Sequence, residues 1–119
     1  GEKKLAIHES EEGVISIDSF IDVLENHADE VHLIDVRDQS EVDLDGTFAT
    51  ARIIPIETML TQIADLPNDK PTIFFCTNGV RASEAFDFVS MKRSDMKAYF
   101  LDAMLAFKKQ PLPVVTPLE

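Results

Sequence analysis

The sequence predicts an α/β fold, a five-stranded and mostly parallel sheet with helices on both faces. Three observations carry that expectation. Short β-branched and aromatic runs alternate along the chain with stretches whose apolar residues recur at helical spacing. Turn-forming residues separate the two kinds of segment, as at Leu66-Pro67-Asn68-Asp69. The 119 residues are 45% hydrophobic, enough for one core, since chains of this length bury roughly two-thirds of their unfolded surface. Strand and helix in alternation give parallel strands joined by helical crossovers.

In chain order, Val14-Ile15-Ser16-Ile17 reads as a first strand. A helix follows from about Asp18 or Ser19, with Phe20, Leu24 and Ala28 on one face. Val31 to Val36 is the central strand. Arg52-Ile53-Ile54 is a brief third strand ended by Pro55, and Ile56, Leu60 and Ile63 mark the next helix. Thr72 to Phe75 forms the fourth strand, with a helix from Val80 to about Met91 behind it. Lys97 to Leu101 is the fifth strand, and a last helix is expected over roughly Ala103 to Lys109. The whole of 1–119 reads as one domain, with the acidic segment 1–12 and the proline-containing tail 110–119 expected to be flexible. A start at Gly1 and an end at Leu118-Glu119 suggest a piece cut from a longer protein.

Charge and composition narrow the function classes. There are 22 acidic and 11 basic residues, a net charge of −11. Residues 1–30 carry nine acids and two bases, residues 31–70 eight and three, and residues 71–119 five and six. Nucleic acid and anionic membrane surfaces are disfavoured, because both demand clustered Lys and Arg. No apolar run approaches the ~20 residues of a membrane span. A single cysteine excludes an internal disulfide and favours a reducing, cytoplasmic compartment without fixing it. His8, His27 and His32 have no ligand spacing, so neither metal nor cofactor is expected.

That cysteine, Cys76, ends the fourth strand and opens the loop Cys76-Thr77-Asn78-Gly79-Val80-Arg81. Between a strand and a helix, the amides of the loop and first helical turn lack intrahelical partners and converge on an anion. They favour thiolate over thiol at Cys76 and make the sulfur nucleophilic. Gly79 lets the backbone bend inward, and Arg81 adds a fixed positive charge at the loop's end.

The loop resembles the Cys-x-x-Gly-x-Arg active loop of the rhodanese (sulfurtransferase) family. Two further segments support the likeness. Leu33-Ile34-Asp35-Val36-Arg37-Asp38, with Glu41 downstream, matches the family's Leu-Ile-Asp-Val-Arg strand. Gly46, Ala51, Ile54 and Pro55 match its Gly-His-Ile-Pro-Gly-Ala-x-x-Ile-Pro stretch. The resemblance implies a rhodanese-like fold without cofactor and a Cys76 that takes sulfane sulfur from a small donor, thiosulfate or a persulfide. The sulfur is held as a persulfide and passed to a thiol or cyanide-like acceptor, and a protein can serve as donor or acceptor. Thr77, Asn78, Gly79, Val80 and Arg81 would form the loop, with Arg81 orienting an anionic donor. Asp35 and Arg37 would line the pocket or support it as a structural ion pair, and Glu41 would partner Arg37.

Departures from the family pattern bear on activity. Thr47, Phe48, Ala49, Thr50 and Arg52 replace the usual His, Ile, Pro, Gly and apolar residue; Arg52, near the mouth of the site, is expected to be solvated surface. Ala103-Met104 stands for Gly-Gly, Phe107 for Trp, and Thr77 for a frequent Arg. Four residues separate Cys76 from Arg81, one fewer than in the related Cys-x5-Arg phosphatases, and the smaller cradle suits sulfur better than a phosphoryl group. Two readings follow: a sulfurtransferase or sulfur carrier, and a rhodanese-fold binding or regulatory module with little turnover.

Overall fold

A computed structural model describes residues 4–107 and 114–118. Six strands form the main sheet: β1 (Glu9–Glu11), β2 (Val14–Ile15), β3 (His32–Asp35), β4 (Arg52–Ile53), β5 (Thr72–Phe75) and β6 (Ala98–Phe100). Their order is β1-β2-β6-β5-β3-β4. The five strands expected from the sequence are the parallel ones, with β3 and β5 in register from His32↔Thr72 to Asp35↔Phe75. Strand β1 is an addition, pairing antiparallel with β2 at one edge. It lies in the segment expected to be flexible, where Leu5 and Ile7 also pack against the core.

Alternation along the strands sends side chains to two cores. Ile73 and Phe75 point to one, with Phe20 and Val23 of α1 (Ile17–Asn26); Phe74 points to the other, with Met59 of α3 (Ile56–Gln62) and Ala82, Ala85 and Val89 of α4 (Val80–Lys92). Helix α1 starts where Ser16 stops the strand. Its hydroxyl accepts from the Ser19 amide at 3.1 Å, satisfying one of the orphan donors of the first turn. A short helix that the sequence reading did not anticipate, α2 (Gln39–Asp45), follows β3 and ends at Gly46.

The C-terminal region corrects one expectation. Residues expected to open a last helix instead form β7 (Ala103–Ala106), paired antiparallel with β8 (Val114–Pro117). Ala103, Leu105 and Phe107 are buried while Met104 is 44% exposed, a two-residue period that a strand can satisfy and a helix cannot. The hairpin and α1 pack into the same core on one face of the sheet. Residues 108–113 and 119, part of the expected helix and tail, lie outside the described residues.

Candidate active site

Strand β5 delivers Cys76 to the C-terminal edge of the sheet, where the topology of parallel α/β folds places ligands. Three residues later the chain enters α4 through Gly79, whose φ of +90° lies in the left-handed region. A Cβ there would stand 2.6 Å from Asp102 Oδ1 and 3.0 Å from Asp102 Cα, so glycine is demanded twice, by conformation and by space.

The turn points the Gly79 N–H at Cys76 Sγ, 3.2 Å away. The thiol lies 3.9 Å from Asn78 Oδ1, as a weak donor, and the same oxygen accepts from the Val80 amide at 3.1 Å. Cys76 is 1% exposed and packs with Ile34, Val36, Phe74, Ala82 and Ala85. Asn78 and Val80 form the exposed lip of the loop.

Arg81 lies on the first turn of α4, and its guanidinium takes Glu41 end-on. Nη1 donates to Oε2 at 2.6 Å, Nη2 to Oε1 at 3.0 Å, and Nη2 also reaches Thr77 Oγ1 at 3.4 Å. The hydrogen bonds from Arg81, opposed by burial, hold the Glu41 carboxyl at about 2, well below its ordinary value. Glu41 in turn raises Arg81, and the nearby Cys76 and Asp38 act in the same direction. Glu41 also accepts from the Asp38 amide at 3.0 Å, tying the start of α2 to the loop. Its partner is thus Arg81 and not the expected Arg37.

Arg37 belongs to Asp35. Both are fully buried; Nε lies 3.1 and 3.2 Å from the two carboxylate oxygens and Nη2 donates at 2.8 Å. The same Nη2 holds the Gly46 carbonyl at 2.7 Å, and the guanidinium carbon sits 3.9 Å from the centre of the Phe107 ring. This pair anchors the 46–52 loop and the C-terminal region, with no exposed surface to offer a ligand. Phe48 of that loop turns inward to meet Phe75 and Phe107 edge-on, at ring separations of 5.2 and 5.6 Å.

Arg52 is exposed, as expected of a solvated surface residue, and it lines a cavity of about 70 Å³ with Val31, His32 and Pro67, where β3 begins, rather than the mouth of the Cys76 loop. Two contacts escaped the sequence reading. Asp102 closes the back of Gly79, and the Leu105 amide of β7 donates to the Thr77 carbonyl at 2.8 Å. The second was hidden because a strand, not a helix, supplies the donor.

Comparisons with known proteins converge. The family model for the Rhodanese-like domain matches residues 20–104. A sulfurtransferase of Allochromatium vinosum is 21% identical over 89 residues, covering 75% of this chain and 82% of that protein. Among solved structures, the human single-domain sulfurtransferase TSTD1 superposes with a TM-score of 0.62 at 20% identity, covering 76% of this chain and 88% of its own. The single-domain sulfurtransferase RDL2 of Saccharomyces cerevisiae gives 0.56 at 25% identity, with 73% and 80% covered. A rhodanese-related protein of Thermoplasma volcanium gives 0.61 at 24%, with 71% and 80% covered.

Proposed function

The chain belongs to the rhodanese-like domain family, and from that premise we propose that it is a single-domain sulfurtransferase or sulfur carrier whose nucleophile is Cys76. The observation that carries the reading is the 3.2 Å contact from the Gly79 N–H to Cys76 Sγ at the opening of α4. A backbone donor at that place stabilises negative charge on sulfur, first on the attacking thiolate and then on the thiolate that leaves.

The reaction divides into two displacements at sulfur. In the first, the Cys76 thiolate attacks the outer sulfur of a donor. The new Sγ–S bond forms as the donor's own bond to that sulfur breaks, and the donor leaves with the electron pair, as sulfite from thiosulfate or as a thiolate from a persulfide. In the second, a thiolate or cyanide attacks the outer sulfur of the Cys76 persulfide, and Cys76 regains its thiolate. Neither step needs a proton-transfer residue or a second cysteine.

Incubation with thiosulfate, and separately with a persulfide, followed by intact-mass measurement, tests this. The expected product is a protein heavier by one sulfur atom, absent in Cys76→Ser and discharged by cyanide as thiocyanate. A thiol that alkylates readily yet takes sulfur from neither donor sinks the proposal. The near-complete burial of Cys76 favours a second reading, a binding module of the same fold, and that negative result is what it expects.

A further inference from the structure

We propose that Glu41 sets donor specificity: by occupying Arg81 end-on, it turns the site away from donors that carry an oxyanion beside the transferable sulfur and toward persulfides, R–S–SH, whose carrier group has none. The inference rests on the sulfur-transfer reading above and names its donor class.

An oxyanion donor such as thiosulfate brings two negative charges to a cysteine that must itself be anionic to react. It needs a cation with an open fork, and guanidinium is well shaped for that task. Arg81 is the cation that the loop presents, and its fork already holds both oxygens of Glu41 at 2.6 and 3.0 Å. The Arg81 side chain is 26% exposed and Glu41 33%, so the pair sits half-covered beside the loop instead of swinging free in solvent. Arg37, the other guanidinium close by, is fully buried and matched to Asp35. Each of these arginines therefore has its own carboxylate, while Asp38 adds a further negative charge toward Arg81. The Val80 amide, at the first position of α4, is taken by Asn78 Oδ1. A net charge of −11 repels a dianion at longer range as well.

A persulfide makes no such demand. Thiolate Cys76–S⁻ attacks the outer sulfur of R–S–SH; the Sγ–S bond forms, the donor S–S bond breaks, and R–S⁻ departs with the electron pair. The proton stays on the transferred sulfur, giving Cys76–S–SH. Charge before and after is one negative, so no extra cation is required. The emerging charge sits on sulfur beside the loop, not on three oxygens.

The test compares initial rates of sulfur uptake from thiosulfate and from 2-aminoethyl persulfide, generated in solution from cystamine and sulfide. Wild type, Glu41→Gln and Glu41→Gln/Arg81→Gln are measured, with Cys76→Ser as the blank. Gln retains an oxygen that can accept from the Asp38 amide, so the start of α2 keeps its contact. Wild type should favour the persulfide in kcat/KM. Glu41→Gln should move the ratio toward thiosulfate by about tenfold, mainly through a lower thiosulfate KM, because a freed guanidinium can take the sulfonate end. The double variant should lose that gain, which simple loosening of α2 would not do.

A wild-type preference for thiosulfate, or an unchanged ratio in Glu41→Gln, overturns the proposal while leaving sulfur transfer standing. Failure of wild type to take sulfur from either donor overturns both. If Glu41→Gln does not fold, the wild-type preference decides alone.

Discussion

Replacing Gly79 with alanine probes the fold and the chemistry at one atom. Two costs are separable. A residue with a Cβ at φ +90° costs about 1–2 kcal/mol in the left-handed region. The new methyl would also lie 2.6 Å from Asp102 Oδ1, 3.0 Å from Asp102 Cα and 3.2 Å from the Leu101 carbonyl. The carboxylate can swing away, since Asp102 is exposed. The other two atoms are backbone, and the Leu101 amide is fixed to the Phe74 carbonyl at 3.0 Å. Relief must therefore come from the loop, at about 1–3 kcal/mol for an overpacked site. The sum is about 2–5 kcal/mol, a large share of the ~5–15 kcal/mol that holds a domain together.

The displaced atom is the donor to the nucleophile. As residue 79 backs away from Asp102, its N–H leaves the 3.2 Å contact with Cys76 Sγ, and sulfur uptake should fall by about tenfold or more in protein that remains folded. Urea denaturation gives the first quantity and intact-mass kinetics the second. Adding Asp102→Ala to Gly79→Ala removes the nearest contact but neither the φ nor the backbone clash, so it should recover less than about 1 kcal/mol. Stability within about 0.5 kcal/mol of wild type with normal sulfur uptake would refute the reasoning. Full rescue by Asp102→Ala would refute it too, by placing the whole cost in a mobile carboxylate.

Other sites give independent tests. Arg37→Met strands the buried Asp35 and the Gly46 carbonyl and should cost about 3–5 kcal/mol in urea denaturation, with part recovered when Asp35→Asn is added. Arg93 Nη1 donates to the Ile63 and Leu66 carbonyls at 2.8 and 2.9 Å; Arg93→Ala should cost about 1–3 kcal/mol and leave the sulfur-transfer rate of the folded protein unchanged. His27 is raised above its ordinary 6.5, chiefly by its hydrogen bond to Glu30 against the opposing effect of burial, with Asp22 and Asp29 adding to the rise. Its protonated form is therefore favoured in the folded state. That stabilisation is fully present below about pH 6.5 and lost as pH climbs through the higher folded value. The denaturation midpoint should decline over that window, and His27→Gln should flatten the decline.

What the sequence disclosed follows from the range of the interactions concerned. The central parallel strands are legible because they are short apolar runs such as Ile73-Phe74-Phe75, buried on both faces and bounded by turns. The first strand was drawn too long: Ser16 is the N-cap of α1 and Ile17 its first residue, since a serine hydroxyl can serve the Ser19 amide. Strand β1 was missed because Glu-Ser-Glu has no apolar side to read; backbone pairing with β2 makes it a strand. Helix α2 did leave a local mark, Asp38 followed three residues later by Glu41, a recognised helix-start pattern. At 103–107 all five residues are apolar, so the alternation appears only in the burial of the folded strand, and the hairpin supplied by β8 lies beyond local pattern.

The candidate site divides along the same line. Cys76, Gly79 and Arg81 stand within six residues, so the strand, turn and helix that arrange them can be read locally. The groups that define their working state arrive from afar: Glu41 is 40 positions before Arg81, and Leu105 comes from β7 to hold the Thr77 carbonyl. Charge shows what that distance conceals. From the loop alone, Arg81 is a cation awaiting an anion. In the folded chain it already has one, and Arg37, which stood nearer in sequence to Glu41, is paired with Asp35. On the sulfur-transfer reading proposed above, the motif would place the nucleophile, while the pairing of its arginine would select among donors. Substitutions at Glu41 should consequently alter donor choice more than those at Thr77, although Thr77 adjoins the nucleophile, because the Thr77 hydroxyl meets Arg81 only at 3.4 Å and carries no charge to release.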